Sequence, residues 1–147
     1  MKLSTRGQYA TRALLDLAQH RDDEPVQLRD IARRQQIPQR YLEHLITPMI
    51  AAGILVSTRG PRGGVSLVRS PDDISLDEVI HLLEGSVAPV ECVNNPSLCN
   101  RATLCATRDI WGDLKKAIDG VLSSVSLTDL VKRQQAKDRA AEEMYNT

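Results

Sequence analysis

Two short β-type runs, ILVS and VSLV, enclose the heptapeptide TRGPRGG, while the rest of the chain reads as helix or loop. Apolar and β-branched residues on either side of a Gly- and Pro-rich tip predict a hairpin. Arg59 and Arg62 make that tip basic, held between Gly60, Pro61, Gly63 and Gly64. A single hairpin in a helical chain constrains the fold class to mainly α with one small β-hairpin. At 147 residues and 41% hydrophobic, the chain has apolar matter for one compact core plus an extension, or for a protomer that completes its core by association.

Before the hairpin, Ala10, Ala13, Leu14, Leu17 and Ala18 recur at helical spacing behind the candidate caps Ser4 and Thr5. The polar loop from His20 to Pro25 ends that helix. Leu28, Ile31 and Ala32 mark a short second helix that stops near Gln36. Ile37-Pro38 turns into a third helix with Leu42, Leu45, Ile46 and Met49 inward. Pro38 suits its N1 position, whereas Pro48, farther along, is expected to kink or divide it. Beyond the hairpin, Ser75 and Glu78 form a capping box for a helix with Leu76, Val79, Ile80 and Leu83 inward, closed by Gly85. Farther on, Trp111, Leu114, Ile118, Val121 and Val125 recur at steps of three and four. Such a stripe asks for a partner helix, and Gly120 at its middle costs about 1 kcal/mol of helix propensity relative to Ala, so packing must hold it. Ser126 and Asp129 cap a final short helix, and the polar residues after it are expected to be frayed or disordered.

Three short helices, a tight turn before the third and a basic hairpin are the parts of a winged helix-turn-helix domain. Its third helix enters the major groove, with Gln39 and Arg40 in the first turn best placed to reach base edges. Arg59 and Arg62 would carry guanidinium groups to phosphates or into a narrow minor groove; the alternative is a solvated hairpin with two surface arginines. Charge supports the DNA reading. Residues 1–70 hold eleven Lys and Arg against six Asp and Glu, and residues 71–147 hold eight against thirteen, so a neutral chain has a basic N-terminal half. Glu43 stands apart, since an acidic side chain on a groove-facing helix is repelled by phosphates and accepts only from a cytosine amino group; it either faces solvent or penalises some DNA sequences.

All three cysteines, Cys92, Cys99 and Cys105, fall within PVECVNNPSLCNRATLC, between helical patterns and off any apolar stripe. Their odd number, with no apolar leader at the N-terminus and no run long enough to span a bilayer, argues for a cytoplasmic protein with reduced thiols. Six residues separate the first two and five the last two. This is unlike the paired CxxC of structural zinc, so spacing favours an iron-sulfur cluster, with zinc, a redox-reactive thiol or three unrelated side chains left open. The histidines, His20, His44 and His81, read as surface residues of helices.

The stretches KLSTRGQYATRALLDLA, RYLEHL and RGPRGGVSLVRSPDDISLDEVIHLLEG, followed by the cysteine loop, resemble the family of small dimeric regulators that includes the iron-sulfur regulator IscR, the nitric oxide sensor NsrR and the iron regulator RirA. The resemblance spans residues 2 to about 130. It implies a winged-helix homodimer joined along the long C-terminal helix, bound to a palindromic site on double-stranded DNA. It also implies an iron-sulfur cluster, 2Fe-2S or 4Fe-4S, on Cys92, Cys99 and Cys105, with cluster-biogenesis genes as targets. In the IscR branch a histidine three residues past the last cysteine completes the site; here Arg108 stands there and cannot bind iron. The acidic ligand of the NsrR branch corresponds to Gln8, a poor donor, which leaves Asp109, Glu91, Glu43, His44 or a small molecule as the fourth ligand.

The expected organisation is thus a winged domain over residues 1–85, a cluster loop over 86–105, a dimerisation helix region over 106–131 and a polar tail over 132–147. The competing reading is a clusterless winged-helix regulator controlled by a partner protein or by thiol oxidation. A redox enzyme or electron carrier is disfavoured, because no nucleotide loop or nucleophile-base pair is present and the basic wing would go unexplained.

Overall fold

A computed structural model gives the fold and describes residues 2–146, so Met1 and Thr147, the outer ends of the expected winged domain and tail, lie outside the described residues. The helix α1 (Thr5–Gln19) starts where Ser4 Oγ accepts the amide N–H of Gly7 at 3.2 Å. The Ser4 amide in turn donates to the carboxylate of Glu84 at 3.0 Å, which fastens the start of α1 to the end of the helix α4 (Leu76–Glu84). Ala10, Ala13, Leu14 and Leu17 are fully buried, whereas Ala18 lies at the rim of the core.

The helices α2 (Leu28–Gln35) and α3 (Gln39–Ala51) meet at Gln36, which takes the left-handed conformation at φ 55°. Pro38 is the N-cap of α3 and not its first helical residue, so Gln39 occupies N1. Pro48 does not divide α3. It sits in the last turn, where its missing N–H costs one bond near a terminus and its carbonyl still accepts from Ala52 at 3.0 Å. Leu42, Leu45, Ile46 and Met49 are buried.

Strands β1 (Leu55–Thr58) and β2 (Gly64–Leu67) pair antiparallel, with Leu55 opposite Leu67 and Thr58 opposite Gly64. A further bridge joins Val26 to Val65 through amide bonds of 2.9 and 2.8 Å, which pins the hairpin against the segment leading into α2. Glycine is required at the tip: a Cβ on Gly63 would lie 2.1 Å from the Thr58 carbonyl oxygen, and one on Gly64 would lie 2.2 Å from that of Val26.

Ser75 caps α4 by accepting from the Glu78 amide at 3.3 Å, while the Glu78 carboxylate turns to Arg69. The helix α5 (Ala106–Ser123) contains no buried residue, and Ile110 and Val121 are 56% and 64% exposed. The chain then turns back onto the winged domain. Ser126 bridges Ser75, the Leu127 amide donates to the Ile74 carbonyl at 3.0 Å, and Leu127 is fully buried in the winged-domain core.

Two expectations are corrected here. The last helix is not short and residues 132–146 are not a frayed tail: α6 spans Leu127–Tyr145, its first turns packed on α1 and residues 135–146 exposed. Its reciprocal capping box of Ser126 and Asp129 satisfies the amides that open the helix. The sequence KRQQAKDRAAEE is rich in strong helix formers, with an i,i+4 bond from Gln134 to Asp138 at 3.0 Å. The end of the region 106–131 lies inside the winged-domain core, at Leu127.

Candidate nucleic-acid interface and cysteine loop

The helix-turn-helix is locked by a buried polar group that residue spacing alone does not reveal. Asp16 of α1 is fully buried, and its two carboxylate oxygens accept from Arg34 Nη2 and Nε at 2.8 and 2.9 Å. Gln35 Nε2 adds a bond of 3.1 Å, and His20 Nδ1 stands 3.7 Å away. Asp16 holds the Arg34 guanidinium firmly in its charged form, raising its pKa above the ordinary value. The fork grips α2 from α1, and α2 leads into the turn before α3. One signal was available in the sequence: Asp16 follows Ala13 by three, along the edge of the apolar stripe.

Gln39, Arg40 and Glu43 all lie exposed on the N-terminal part of α3, with His44 beside them, so the structure gathers the expected base-reading residues on one open surface. Arg59 and Arg62 are exposed on the hairpin tip. Gln27, just ahead of α2, donates from Nε2 to the Pro61 carbonyl at 3.2 Å and ties the tip to the helix-turn-helix. The hairpin is therefore a braced wing.

The cysteine loop joins α4 to α5 through two 3-10 turns, Glu91–Val93 and Pro96–Leu98. All three thiols are free, with Cys99 exposed and the other two half-buried. Cys105 is the N-cap residue of α5. The Thr107 hydroxyl, 3.0 Å from its sulfur, and the amides of Arg108 and Thr107 lower its pKa and favour the thiolate. Arg108 Nε donates to the Cys92 carbonyl at 3.1 Å, so this side chain braces the loop and is spent on it. Gln8 Nε2 donates to the Leu3 carbonyl at 3.1 Å, which leaves only its amide oxygen, a poor donor to iron. Asp109 and Glu91 are exposed close to the cysteines.

Among the described residues the structure does not bring the cysteines together at single-ion distance; the only group of three or more ligating side chains within 4.8 Å of one another is Asp77, His81 and Asp119. A cluster spreads its thiolates over several irons and spans more than a single ion does. Three free thiols, one of them biased toward thiolate, suit it in kind.

The sequence profile of Rrf2, described as an iron-dependent transcriptional regulator, matches residues 3–133. The chain belongs to the Rrf2 family. It is 44% identical over 132 residues to protein rrf2 of Nitratidesulfovibrio vulgaris, covering 90% of this chain and 88% of the relative. Against the HTH-type transcriptional regulator IscR of Aliivibrio salmonicida, identity is 39% over 142 residues, or 95% and 84% of the two chains. Among solved structures it resembles IscR of T. potens with a TM-score of 0.75 at 38% identity, covering 91% and 88% of the two chains. The cysteine regulator CymR of B. subtilis superposes with a TM-score of 0.78 at 33% identity, covering 90% and 98%. The mainly helical winged-helix architecture is that of Rrf2 regulators. The protein is a DNA-binding transcription regulator and not an enzyme, and no helix of the described residues is long and apolar enough to cross a membrane.

Proposed function

We propose that the protein is a homodimeric, cytoplasmic regulator whose hold on a palindromic DNA site responds to an iron-sulfur cluster on Cys92, Cys99 and Cys105. The observation that carries this reading is the placement of all three thiols on one loop, with Cys105 capping the first turn of the exposed apolar helix α5. Two copies pair along Trp111, Leu114, Ile118 and Val121 of α5 and Val125 just beyond it, because a stripe left partly exposed on a monomer invites aggregation. Gln39 and Arg40 read base edges, Arg59 and Arg62 hold the backbone, and Glu43 penalises sites lacking a cytosine amino group within its reach. When bound, the cluster supplies a redox- and iron-sensitive link between the loop's thiolates. Arg108 has no lone pair for iron and the Gln8 amide is a poor donor, so the fourth iron ligand comes from Asp109, Glu91 or a small molecule, while Glu43 and His44 lie on the α3 surface given to DNA.

Anaerobic purification with iron and sulfide counts tests the reading: brown protein with visible absorption supports it, and colourless protein overturns it. Colourless protein is the expectation of a second reading, a clusterless regulator governed by a partner protein or by thiol oxidation. Its supports are the likeness to CymR and the thiolate-favouring surroundings of Cys105.

A further inference from the structure

The cysteine loop is not the only place where ligating side chains converge. Asp77 and His81, one turn apart on α4, face Asp119 on α5, and the three offer ligand atoms within 4.8 Å of one another. Asp77 Oδ1 and Asp119 Oδ1 are buried and accept no hydrogen bond. A carboxylate oxygen buried without a hydrogen bond favours a cation beside it.

The imidazole is set for a metal. His81 Nδ1 lies 2.8 Å from the Asp77 backbone carbonyl, to which an N–H there donates, so the free lone pair is on Nε2. Asp77 Oδ1 lies 3.0 Å from the same Nδ1, out of line for a hydrogen bond. Metal-bound histidines are held in this manner, with the second ring nitrogen donating to a carbonyl or carboxylate. Nε2 stands 3.5 Å from Asp119 Oδ1, matching the separation of about 3.3–3.6 Å between two ligands on a tetrahedral ion at about 2.0–2.2 Å. Lys115, on the same helix as Asp119, takes the other carboxylate oxygen at 2.7 Å and so turns Oδ1 toward His81. Side-chain exposures of 35, 38 and 29% for Asp77, His81 and Asp119 leave an approach for the ion and for a water as fourth ligand.

We propose that Asp77, His81 and Asp119 form a binding site for a zinc-class divalent cation that clamps α4 to α5. One imidazole with two carboxylates suits zinc better than calcium or magnesium, which prefer all-oxygen shells. The clamp is separate from the thiols. Because α4 packs on α1 and α5 carries the exposed stripe, an ion here fixes the angle between the winged domain and that helix. The effect of that angle on DNA binding rests on the dimer proposed above; the metal site does not.

Zinc is titrated by equilibrium dialysis into the cluster-free full chain, cysteines intact, alongside H81Q and D119N. The parent is expected to bind one zinc per chain more than either variant, or to bind that ion at least tenfold more tightly, and to gain more in melting temperature from zinc. Cobalt(II) provides a second probe, because the species seated on nitrogen and oxygen lacks sulfur charge-transfer absorption and should vanish in both variants. Asp119→Asn is nearly isosteric and keeps the fold if His81→Gln does not. Equal zinc counts and affinities in all three proteins overturn the site, whatever the protein's colour or DNA affinity.

Discussion

Replacing Arg34 with Met removes both arms of the fork on Asp16 while keeping most of the apolar stem. Breaking a buried ion pair from one side costs about 3–5 kcal/mol, because the surviving charge stays out of water without its partner. Two features of the structure pull the figure toward the lower end. Gln35 still donates to the carboxylate, and the Arg34 side chain is 30% exposed, so part of the pair already borders solvent. The expected cost is about 3 kcal/mol, a fall in melting temperature of about 6–12 °C for a domain of this size. Urea unfolding followed by far-ultraviolet circular dichroism, at one fixed protein concentration to hold association constant, measures it. The pair is then closed off by D16L and by the double variant D16L/R34M. The double should be less damaged than the sum of the singles by at least about 1 kcal/mol, since no charge is left stranded. An R34M protein within about 0.5 kcal/mol of the parent, or additive singles, would refute the claim that the fork holds α2 to α1.

The remaining expectations concern the proposed function. Alanine at Cys92, Cys99 or Cys105 should each remove visible absorption and bound iron while leaving a folded dimer; three variants that retain full iron would sink the ligand set. Arg59→Ala and Arg62→Ala should weaken DNA binding nearly independently of sequence and lower the salt slope by about one unit for each phosphate interaction removed, as read by titrations at several salt concentrations. Ile118→Asp should turn the dimer into monomer by light scattering and weaken DNA binding with it. In cluster-free protein, Cys105 should alkylate with its pH-rate midpoint below that of free cysteine, because the Thr107 hydroxyl and the α5 amides favour the thiolate; a midpoint at or above that value would contradict the geometry.

What was legible in the sequence was periodic or punctuated. The stripes of α1, α3 and α4, the Ser4 and Ser75 caps and the glycine-bound wing tip follow from local chemistry, and all appear where residue spacing put them. What was missed depended on distant partners. Asp16 looked like an edge residue of α1 because its meaning lies eighteen positions away, in Arg34. The polar run after Val131 looked like a tail because it has no wide apolar stripe. It is helical because its cap is good, its residues favour helix, and α1 supplies a surface along its start. Likewise Glu78 had a partner nearby in the chain, Ser75, and one nearby in space, Arg69, and its carboxylate goes to the second. The candidate site divides in the same way. The exposed positions of Gln39, Arg40, Arg59 and Arg62 on α3 and the wing tip follow from helix order and turn chemistry, whereas His81 looked like an ordinary surface histidine until α5 brought Asp119 to it.

These connections suggest how a signal in the loop reaches DNA under the proposed reading. The loop begins at Gly85, where α4 ends, and ends at Cys105, where α5 begins. Besides its own turn bonds and the Asn94–Ser86 bond, its ties are the Arg108–Cys92 bond and the buried Ala102, so few apolar side chains fix its conformation. The far end of α5 behaves differently, since Leu76 bonds to Val125, Ser75 bridges Ser126 and Leu127 is buried. Helix α5 is thus anchored at its C-terminal end and weakly held at the end where the cysteines lie. Gathering three thiolates onto a cluster would swing the free end about the fixed one. In a dimer paired along α5, that swing changes the distance between two copies of α3. The anchor, and not the cluster alone, makes the lever: loosening it by Leu127→Ala should uncouple cluster state from DNA affinity before it abolishes either, as DNA titrations of the variant with and without cluster would measure.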